Sequence, residues 1–225
     1  MSPDAVDGLE IRLMRGMDDC EDLADLLADI WQVRDTSYIF APHALRAIEF
    51  AGNYVAGALA DGKLVAGAVA YCGPDGHLHS DVVGVAESMR GKGVGYAIKL
   101  HQRDWAIERG IDSIRWTFDP ARLPNARFNL HRLGAKAIDY LPDFYGSMDD
   151  AFNTNVPTDR LLVDWRVNSP RVVTAITRGL PEPDGDPRVP PLPRAALREA
   201  LLPLLRAGQV ITGVTRGGHY VVEGP

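Results

Sequence analysis

One stretch decides the fold of this chain: Val85-Ala86-Glu87-Ser88-Met89-Arg90-Gly91-Lys92-Gly93-Val94-Gly95-Tyr96. It lies between Leu78 to Val85, which alternates in part like a β-strand, and Gly95 to Arg109, which has helical spacing. Because glycines have no Cβ, the backbone N–H groups of such a loop can converge on one point, and the following helix adds the positive end of its dipole. A phosphate or pyrophosphate is therefore the natural ligand, and Arg90 and Lys92 add positive charge.

Two common phosphate-binding motifs do not fit this loop. A Walker A motif places Ser or Thr directly after its lysine, whereas Gly93 follows Lys92 here. A dinucleotide fingerprint needs Gly-x-Gly-x-x-Gly, whereas the glycines here occupy alternate positions from Gly91 to Gly95. The loop therefore argues against an NTPase and against a Rossmann-type dinucleotide enzyme.

The segments around the loop predict an α/β chain. Their order is strand, helix, helix, three strands, helix, strand, helix, strand, strand, which implies a mixed sheet. Two of these strands flank Asp61-Gly62, a strong hairpin signal. Asp18, with a glutamate three residues later, predicts a capping box at the start of the first helix, and Asn125 predicts the cap of a later one.

The composition excludes several classes of protein. Lys plus Arg number 24 against 30 Asp plus Glu, so the net charge of −6 leaves no footprint for nucleic-acid binding. No run of about 20 apolar residues is present to span a membrane, and the acidic start predicts no export signal. Cys20 and Cys72 lie apart, in no metal-type spacing, which favours a reducing cytoplasm.

A change in composition predicts three parts of the chain. Residues 1–170 form the main domain, residues 171–193 form a linker because six prolines crowd its second half, and residues 194–225 form a small annex of a helix and strands. The annex could also add to a neighbouring sheet, which leaves a homodimer open.

Arg90, Gly93 and Gly95 fit the pattern Arg-x-x-Gly-x-Gly, with a valine five residues before the arginine, and this resembles the acyl-CoA loop of the GNAT family of N-acetyltransferases. The resemblance covers roughly residues 10 to 167. It implies a GNAT-like α/β fold, in which helices flank a mixed, mostly antiparallel central sheet, here followed by the annex. Five motifs look like a bacterial branch of predicted acetyltransferases: WTFDP at 116–120, NARFNL at 125–130, LGA at 133–135, DFYG at 143–146 and TDRLLVDW at 158–165.

The resemblance implies acetyl-CoA or another acyl-CoA as co-substrate and no metal. The amides of Lys92 to Gly95 would hold the CoA pyrophosphate, Arg90 would support it, and the backbone of Val83 to Val85 would pair with the pantetheine arm. Asn129 is a further candidate, because asparagine is a poor former of helix interiors. The residues expected to bind CoA are Val83, Gly84, Val85, Arg90, Gly91, Lys92, Gly93, Val94, Gly95, Tyr96 and Asn129.

Acyl transfer to an amine needs a base for the amine proton. His79 and Asp81 alternate on the strand before the loop, at positions where some family members carry the base, and Asp119 is a candidate to orient an ammonium substrate. Leu130 occupies the position where the family often has a tyrosine that protonates the thiolate. His131, Tyr140, Tyr145 or solvent could take this role. Tyr145 is preferred, although packing explains it equally well.

These features predict an acyl-CoA-dependent N-acyltransferase that uses acetyl- or succinyl-CoA and acts on a small amine or amino acid in a ternary complex. Two alternatives stay open. One is a CoA-binding module without catalysis, which Leu130 favours, and the other is a protein N-acetyltransferase.

Overall fold

A tight turn at Asp61-Gly62 connects two neighbouring strands of the sheet, as the sequence predicts. In the computed structural model, which describes residues 8–184 and 188–224, this turn joins strand β2 (Tyr54–Ala60) to strand β3 (Lys63–Cys72). Asp61 and Gly62 both have positive φ angles, of 50° and 75°, which suit the twist of a two-residue hairpin. The hairpin prediction is therefore confirmed.

The described residues up to Ile111, with Asp150–Phe152, form the first of two compact units. Its sheet is antiparallel and runs in the order β1-β2-β3-β4, where β1 is Leu9–Leu13 and β4 is Leu78–Val85. Its three α-helices are α1 (Gly16–Trp31), α2 (Pro42–Phe50) and α3 (Val94–Glu108).

Helices cover both faces of this sheet. Leu23 and Leu27, from the apolar stripe predicted on α1, are buried in one core with Val55 of β2. Successive strand residues point to opposite faces, and the neighbouring Tyr54 packs edge-on against Trp105 of α3, with ring centroids 5.4 Å apart. The first unit is thus a sheet between α1 and α2 on one side and α3 on the other.

Asp112–Asp149 and the described residues from Asn153 onward form the second unit. Its strands are antiparallel, in the order β5-β7-β6-β9-β10-β8. They are β5 (Ser113–Phe118), β6 (Lys136–Leu141), β7 (Arg160–Arg166), β8 (Arg188–Val189), β9 (Val210–Val214) and β10 (Tyr220–Glu223), and its α-helices are α4 (Leu123–Arg127), α5 (Pro170–Arg178) and α6 (Arg194–Arg206). The predicted α/β class, with a mostly antiparallel sheet flanked by helices, is confirmed.

The capping box predicted to begin at Asp18 is wrong. Helix α1 begins at Gly16, and Asp19 accepts the backbone N–H of Arg15 at 2.6 Å. Arg12 of β1 donates two hydrogen bonds to the same carboxylate, at 2.6 and 2.8 Å. The tertiary contact with β1 therefore selects Asp19, which local sequence spacing does not reveal.

Two further helix boundaries differ from the sequence predictions. Asn125 does not cap its helix, because α4 already begins at Leu123 with a proline in its first turn. The predicted linker contains α5, whose cap Ser169 accepts the backbone N–H of Val172 at 3.4 Å. Pro170 stands at the first position of α5, where the fixed φ of proline favours a helix.

The helix and hairpin predicted after residue 193 are present as α6 and the β9–β10 pair. Strand β9 also continues the sheet, because Ala137 of β6 lies opposite Ile211. The division into domains at residues 170 and 193 stays a prediction, and residues 1–7, 185–187 and 225 of those domains lie outside the described residues. None of the described helices is long and apolar enough to span a membrane.

A buried carboxylate, Asp159, joins several elements of the second unit. It accepts hydrogen bonds from the Tyr140 hydroxyl at 2.6 Å, from the Asp143 backbone N–H at 3.0 Å and from Nε of Arg198 at 2.9 Å. Burial alone would favour the protonated acid, but the hydrogen bonds from Arg198 and Tyr140 outweigh it and lower the pKa of Asp159 to about 2. Asp159 therefore stabilises the fold in its ionised form.

This lowered pKa predicts a pH-dependent contribution to stability. Since the folded pKa lies below the unfolded one, the contribution is complete above pH 4 to 5 and is lost as the pH falls towards 2. We expect the difference in unfolding free energy between the native protein and Asp159→Asn to shrink by about 2 kcal/mol between pH 5 and pH 2. Urea unfolding of both proteins across this range measures it, and a constant difference would contradict the assigned ionisation.

Candidate functional site

The glycine-rich loop ends at the uncapped N-terminus of α3. A 3₁₀ turn at Glu87–Met89 follows β4, and Gly91 and Gly93 then take φ angles of 74° and 85°, in the region that only glycine adopts easily. Gly93 is the N-cap residue, and no side chain accepts a hydrogen bond from the first turn of α3. Because first-turn amides have no partner within the helix, those of Val94 and Gly95 can point towards a ligand. The first turn also has no acidic residue, so this end of α3 suits an anion.

Two cationic side chains accompany these amides. Arg90 and Lys92 are exposed. Nε of Arg90 donates to the carbonyl of Val85 at 3.2 Å, and its guanidinium lies 5.8 Å from the ring centroid of Phe152. Arg90 is thus held at the base of the loop, next to the end of β4.

The predicted CoA-binding residues of this segment differ in what they can offer a ligand. The side chains of Val94 and Tyr96 are buried, so only their backbone can meet a ligand. A Cβ on Gly84 would lie 2.8 Å from Cζ3 of Trp31, so this glycine allows α1 to approach β4. A Cβ on Gly95 would lie at an ordinary 3.5 Å from Cγ2 of Val85, which leaves room at the amide cluster.

Strand β4 contains an irregularity at Asp81. Val82 pairs with Val69 and Ser80 pairs with Ala70, so Asp81 has no direct partner in the ladder with β3. An extra residue of this kind is a β-bulge, which bends the strand and redirects side chains. Consistent with this, Val82 joins the core beside α1, whereas Ser80 accepts a hydrogen bond from α3.

The structure brings His79 and Asp81 together, as the alternation predicts. Nε2 of His79 lies 3.9 Å from Oδ1 of Asp81. The sequence analysis missed Tyr71 of β3, whose hydroxyl donates to Oδ1 of Asp81 at 3.1 Å and whose ring centroid lies 5.4 Å from that of His79. Tyr71 therefore holds the carboxylate and packs against the imidazole.

Burial lowers the pKa of His79, and Asp81 opposes this shift. His77 and Lys99 lower the pKa further, since each disfavours a second positive charge. The imidazole of His79 is accordingly neutral at pH 7, the state in which it can accept a proton.

Lys99 is a second residue that the sequence analysis missed. Its Nζ is buried between β4 and α3 and donates to Oγ of Ser80 at 3.3 Å and to Oε1 of Gln102 at 2.7 Å. Burial holds the pKa of Lys99 well below its usual range. The signal available in the sequence is its helical spacing of three from Gln102 and seven from Ala106, both buried on α3.

In the second unit, Tyr145 has an accessible hydroxyl position. The side chain is 41% exposed, and the hydroxyl oxygen lies 3.2 Å from Oγ1 of Thr117. The guanidinium of Arg160 lies 5.2 Å from the ring centroid, close enough for a cation–π contact. This geometry is compatible with a phenol that gives or accepts a proton.

Two residues expected to contact ligands have hydrogen-bond partners within the protein. Both oxygens of Asp119 accept hydrogen bonds from Arg194, at 2.8 and 2.6 Å, and one also accepts the N–H of Ala121. Asn129 is buried, and its Oδ1 accepts the indole N–H of Trp116 at 3.2 Å. Because these partners already use the polar groups, we leave Asp119 and Asn129 out of the proposed site.

The described residues contain no group of three or more His, Cys, Asp or Glu side chains that could hold a metal ion. Leu130 is fully buried, so the position at which the family often has a tyrosine is part of the core here.

Comparisons with known proteins agree with this geometry. The model of the acetyltransferase (GNAT) family matches residues 20–135. Similar solved structures include a GNAT family acetyltransferase from Elizabethkingia anophelis with acetyl-CoA bound, at 12% identity, 72% coverage of this chain, 99% of that chain and a TM-score of 0.55. They also include PaiA N-acetyltransferase from Thermoplasma acidophilum in complex with coenzyme A, at 13% identity, 70% and 98% coverage and a TM-score of 0.53.

A third similar structure is the ribosomal-protein-S18-alanine N-acetyltransferase from Escherichia coli, at 15% identity, 72% and 95% coverage and a TM-score of 0.53. Identities this low relate the folds only. No curated protein matches the sequence significantly.

The open space at Gly95 predicts a specific way to block the loop. We expect Gly95→Leu to fold normally, because its φ is not positive and the added Cβ meets only Val85 at 3.5 Å. The leucine side chain would cover the amides of the first turn, so we expect affinity for acetyl-CoA to fall at least about tenfold, the loss of roughly one charge-assisted hydrogen bond.

Isothermal titration measures this affinity, and thermal unfolding checks the fold. Glu108→Leu is the matched control, since it adds the same side chain at the exposed far end of α3. Unchanged affinity in folded Gly95→Leu would exclude the loop as the binding site.

Proposed function

Because the chain belongs to the GNAT acetyltransferase family, we propose that it transfers an acyl group from acyl-CoA to the nitrogen of a small amine or amino acid. The observation that carries this proposal is the N-terminus of α3, where Gly93 takes a positive φ and no side chain caps the first turn. Those amides, with Arg90 and Lys92 nearby, fit the doubly charged pyrophosphate of CoA. The backbone of Val83 to Val85 is the proposed partner of the pantetheine arm.

The transfer itself requires few groups from the protein. Bound acyl-CoA supplies an activated carbonyl carbon and a thiolate leaving group. The amine nitrogen forms the new N–C bond as the C–S bond breaks, the amine loses one proton, and the thiolate gains one. No covalent bond to the enzyme is needed, which agrees with direct transfer in a ternary complex.

His79 is the proposed acceptor of the amine proton. Its pKa is lowered mainly by burial, so the imidazole is neutral before the reaction. Asp81, with Oδ1 at 3.9 Å from Nε2 of His79, stabilises the imidazolium that forms. Tyr71 keeps Asp81 in place through its hydrogen bond of 3.1 Å.

Tyr145 is the proposed proton donor to the thiolate. Its exposed hydroxyl next to Thr117 supports this role, and the buried Leu130 cannot fill it. Because a thiol is fairly acidic, the CoA thiolate can also leave without a proton donor and take its proton from solvent afterwards.

Two alternatives to this proposal have their own support: a protein N-acetyltransferase and a CoA-binding module without catalysis. The similarity to an enzyme named for a ribosomal-protein alanine favours protein N-termini as a second class of acceptor. The buried Leu130 favours a CoA-binding module without catalysis. Free Cys20 and Cys72 support a reducing cytoplasm as the location.

One experiment separates these functions. The protein is titrated calorimetrically with acetyl-CoA, succinyl-CoA, free CoA and ATP, and the tighter acyl-CoA is then offered to small amines, free amino acids and peptides with a free N-terminal alanine. Turnover is followed by the loss of thioester absorbance. A thiol reagent that detects released CoA is less suitable, because it would also react with the exposed Cys72. Turnover with a small amine supports the proposal, and turnover with peptides alone indicates a protein acetyltransferase. Binding without any turnover indicates the CoA module, and no binding of any CoA overturns the assignment.

The proposed base predicts a separable loss of rate. We expect His79→Gln to lower kcat by about 100-fold or more, the usual contribution of a positioned base, with unchanged affinity for acetyl-CoA. Asp81→Asn should lower kcat by less, because it removes only the charge that stabilises the imidazolium. His43→Gln, at an exposed position of α2, is the matched control. Full activity in both the His79 and Asp81 variants would remove this strand from the mechanism.

A further inference from the structure

Two arginines on one face of α6 reach acidic residues far away in the sequence. Arg194 and Arg198 are four positions apart, so they lie about one helical turn from each other. Arg194 forms two hydrogen bonds with Asp119 at the end of β5. Arg198 pairs with Asp159 through both Nε and Nη2, and its Nη2 donates to Asp143 at 2.9 Å.

These pairs differ from ordinary surface ion pairs. The side chain of Asp159 is only 3% exposed, although that of Arg198 is 35% exposed. Exposed pairs contribute little, but removal of one partner from a buried pair leaves an uncompensated charge. Asp159 therefore depends on Arg198, which lies 39 residues further along the chain.

The pair of Asp159 and Arg198 also holds the segment Asp143–Gly146 in place. The backbone N–H of Asp143 donates to Asp159, and Asp143 itself has a φ of 45°, which is unusual for a residue with a side chain. The N–H of Phe144 donates to the carbonyl of Thr158 at 3.1 Å. A neighbouring anchor thus fixes each of the first two residues of the segment.

Thr158 completes the attachment. Its Oγ1 accepts the N–H of Tyr145 at 3.2 Å and donates to the carbonyl of Gly146 at 2.8 Å. Residues 158 and 159 therefore accept or donate hydrogen bonds along the segment from Asp143 to Gly146, and Arg198 links Asp143 to Asp159. The side chain of Tyr145 itself is more than a third exposed, so its position follows from its backbone.

We propose that helix α6 is a clamp for Tyr145, in which Arg198 is a positioning residue that acts through Asp159 and Asp143. The inference rests on the proposed function, which makes Tyr145 the proton donor. Helix α6 lies outside residues 20–135, which the family model matches.

A double-mutant cycle tests whether Arg198 acts through Tyr145. The four proteins are the native enzyme, Arg198→Gln, Tyr145→Phe and the double variant, and the readout is kcat for thioester cleavage with the best acceptor, or with water as acceptor. Each single variant should lose roughly tenfold or more in kcat, and the double variant should be no slower than Tyr145→Phe. Acetyl-CoA affinity should not change in any of them.

A conservative variant of Arg198 and a control variant elsewhere on α6 extend this test. Arg198→Lys keeps the charge but makes fewer hydrogen bonds, so we expect an intermediate kcat. Arg206→Gln, at an exposed position of the same helix, should behave like the native protein. A multiplicative loss in the double variant would overturn the action through Tyr145.

Amide hydrogen exchange provides a test that is independent of activity. Arg198→Gln should speed exchange of residues 143–146 by about tenfold or more, since the anchoring of Asp143 is lost, while exchange at residues 94–96 stays unchanged. Asp143→Asn serves if Arg198→Gln does not fold, because Asp143 is 55% exposed and its replacement leaves no buried charge. Native exchange in the folded variants would overturn the clamp. If Tyr145→Phe has native kcat while exchange rises, the clamp stands and the proton-donor role of Tyr145 fails.

Discussion

The ladder between β3 and β4 skips one residue, Asp81, and the arrangement of the first unit depends on this omission. Before the bulge, Ser80 points towards α3 and meets Lys99. After it, Val82 points towards α1 and joins the core. A regular strand would send both residues to the same face. The bulge therefore lets one short strand serve two helices and leaves the Asp81 carboxylate free of the ladder, within reach of Tyr71 and His79.

The two units manage buried charge in opposite ways. Lys99 donates to neutral oxygens of Ser80 and Gln102, and burial lowers its pKa. Asp159 is equally buried, but Arg198 and Tyr140 keep it ionised. Burial therefore favours the uncharged form of Lys99, whereas directed donors favour the ionised form of Asp159. The first arrangement leaves His79 uncharged beside it, and the second fixes a loop.

Local sequence patterns could predict the features that depend on neighbouring residues. The hairpin at Asp61-Gly62, the pairing of His79 with Asp81 and the glycines before α3 all follow from alternation, turn chemistry or motif spacing. The partners of Asp119 and Asn129 are not visible in such patterns. Arg194, which pairs with Asp119, lies 75 residues away, and Trp116, which pairs with Asn129, belongs to another element. Long-range pairs of this kind leave no periodic signal, so a polar residue that they satisfy resembles one that awaits a ligand.

Apolar and charged contacts contribute differently to the placement of helix α6. Leu197, Leu201 and Leu205 are buried and attach the helix to the second unit. Apolar burial has little directional preference, so these leucines would tolerate a shift of the helix along its axis. The forked donors of Arg194 and Arg198 tolerate much less, because each must meet the oxygens of a fixed carboxylate. The leucines thus supply attachment and the arginines supply register. A helix held in register can in turn define the position of a loop such as Asp143–Gly146, which apolar packing alone would leave adjustable.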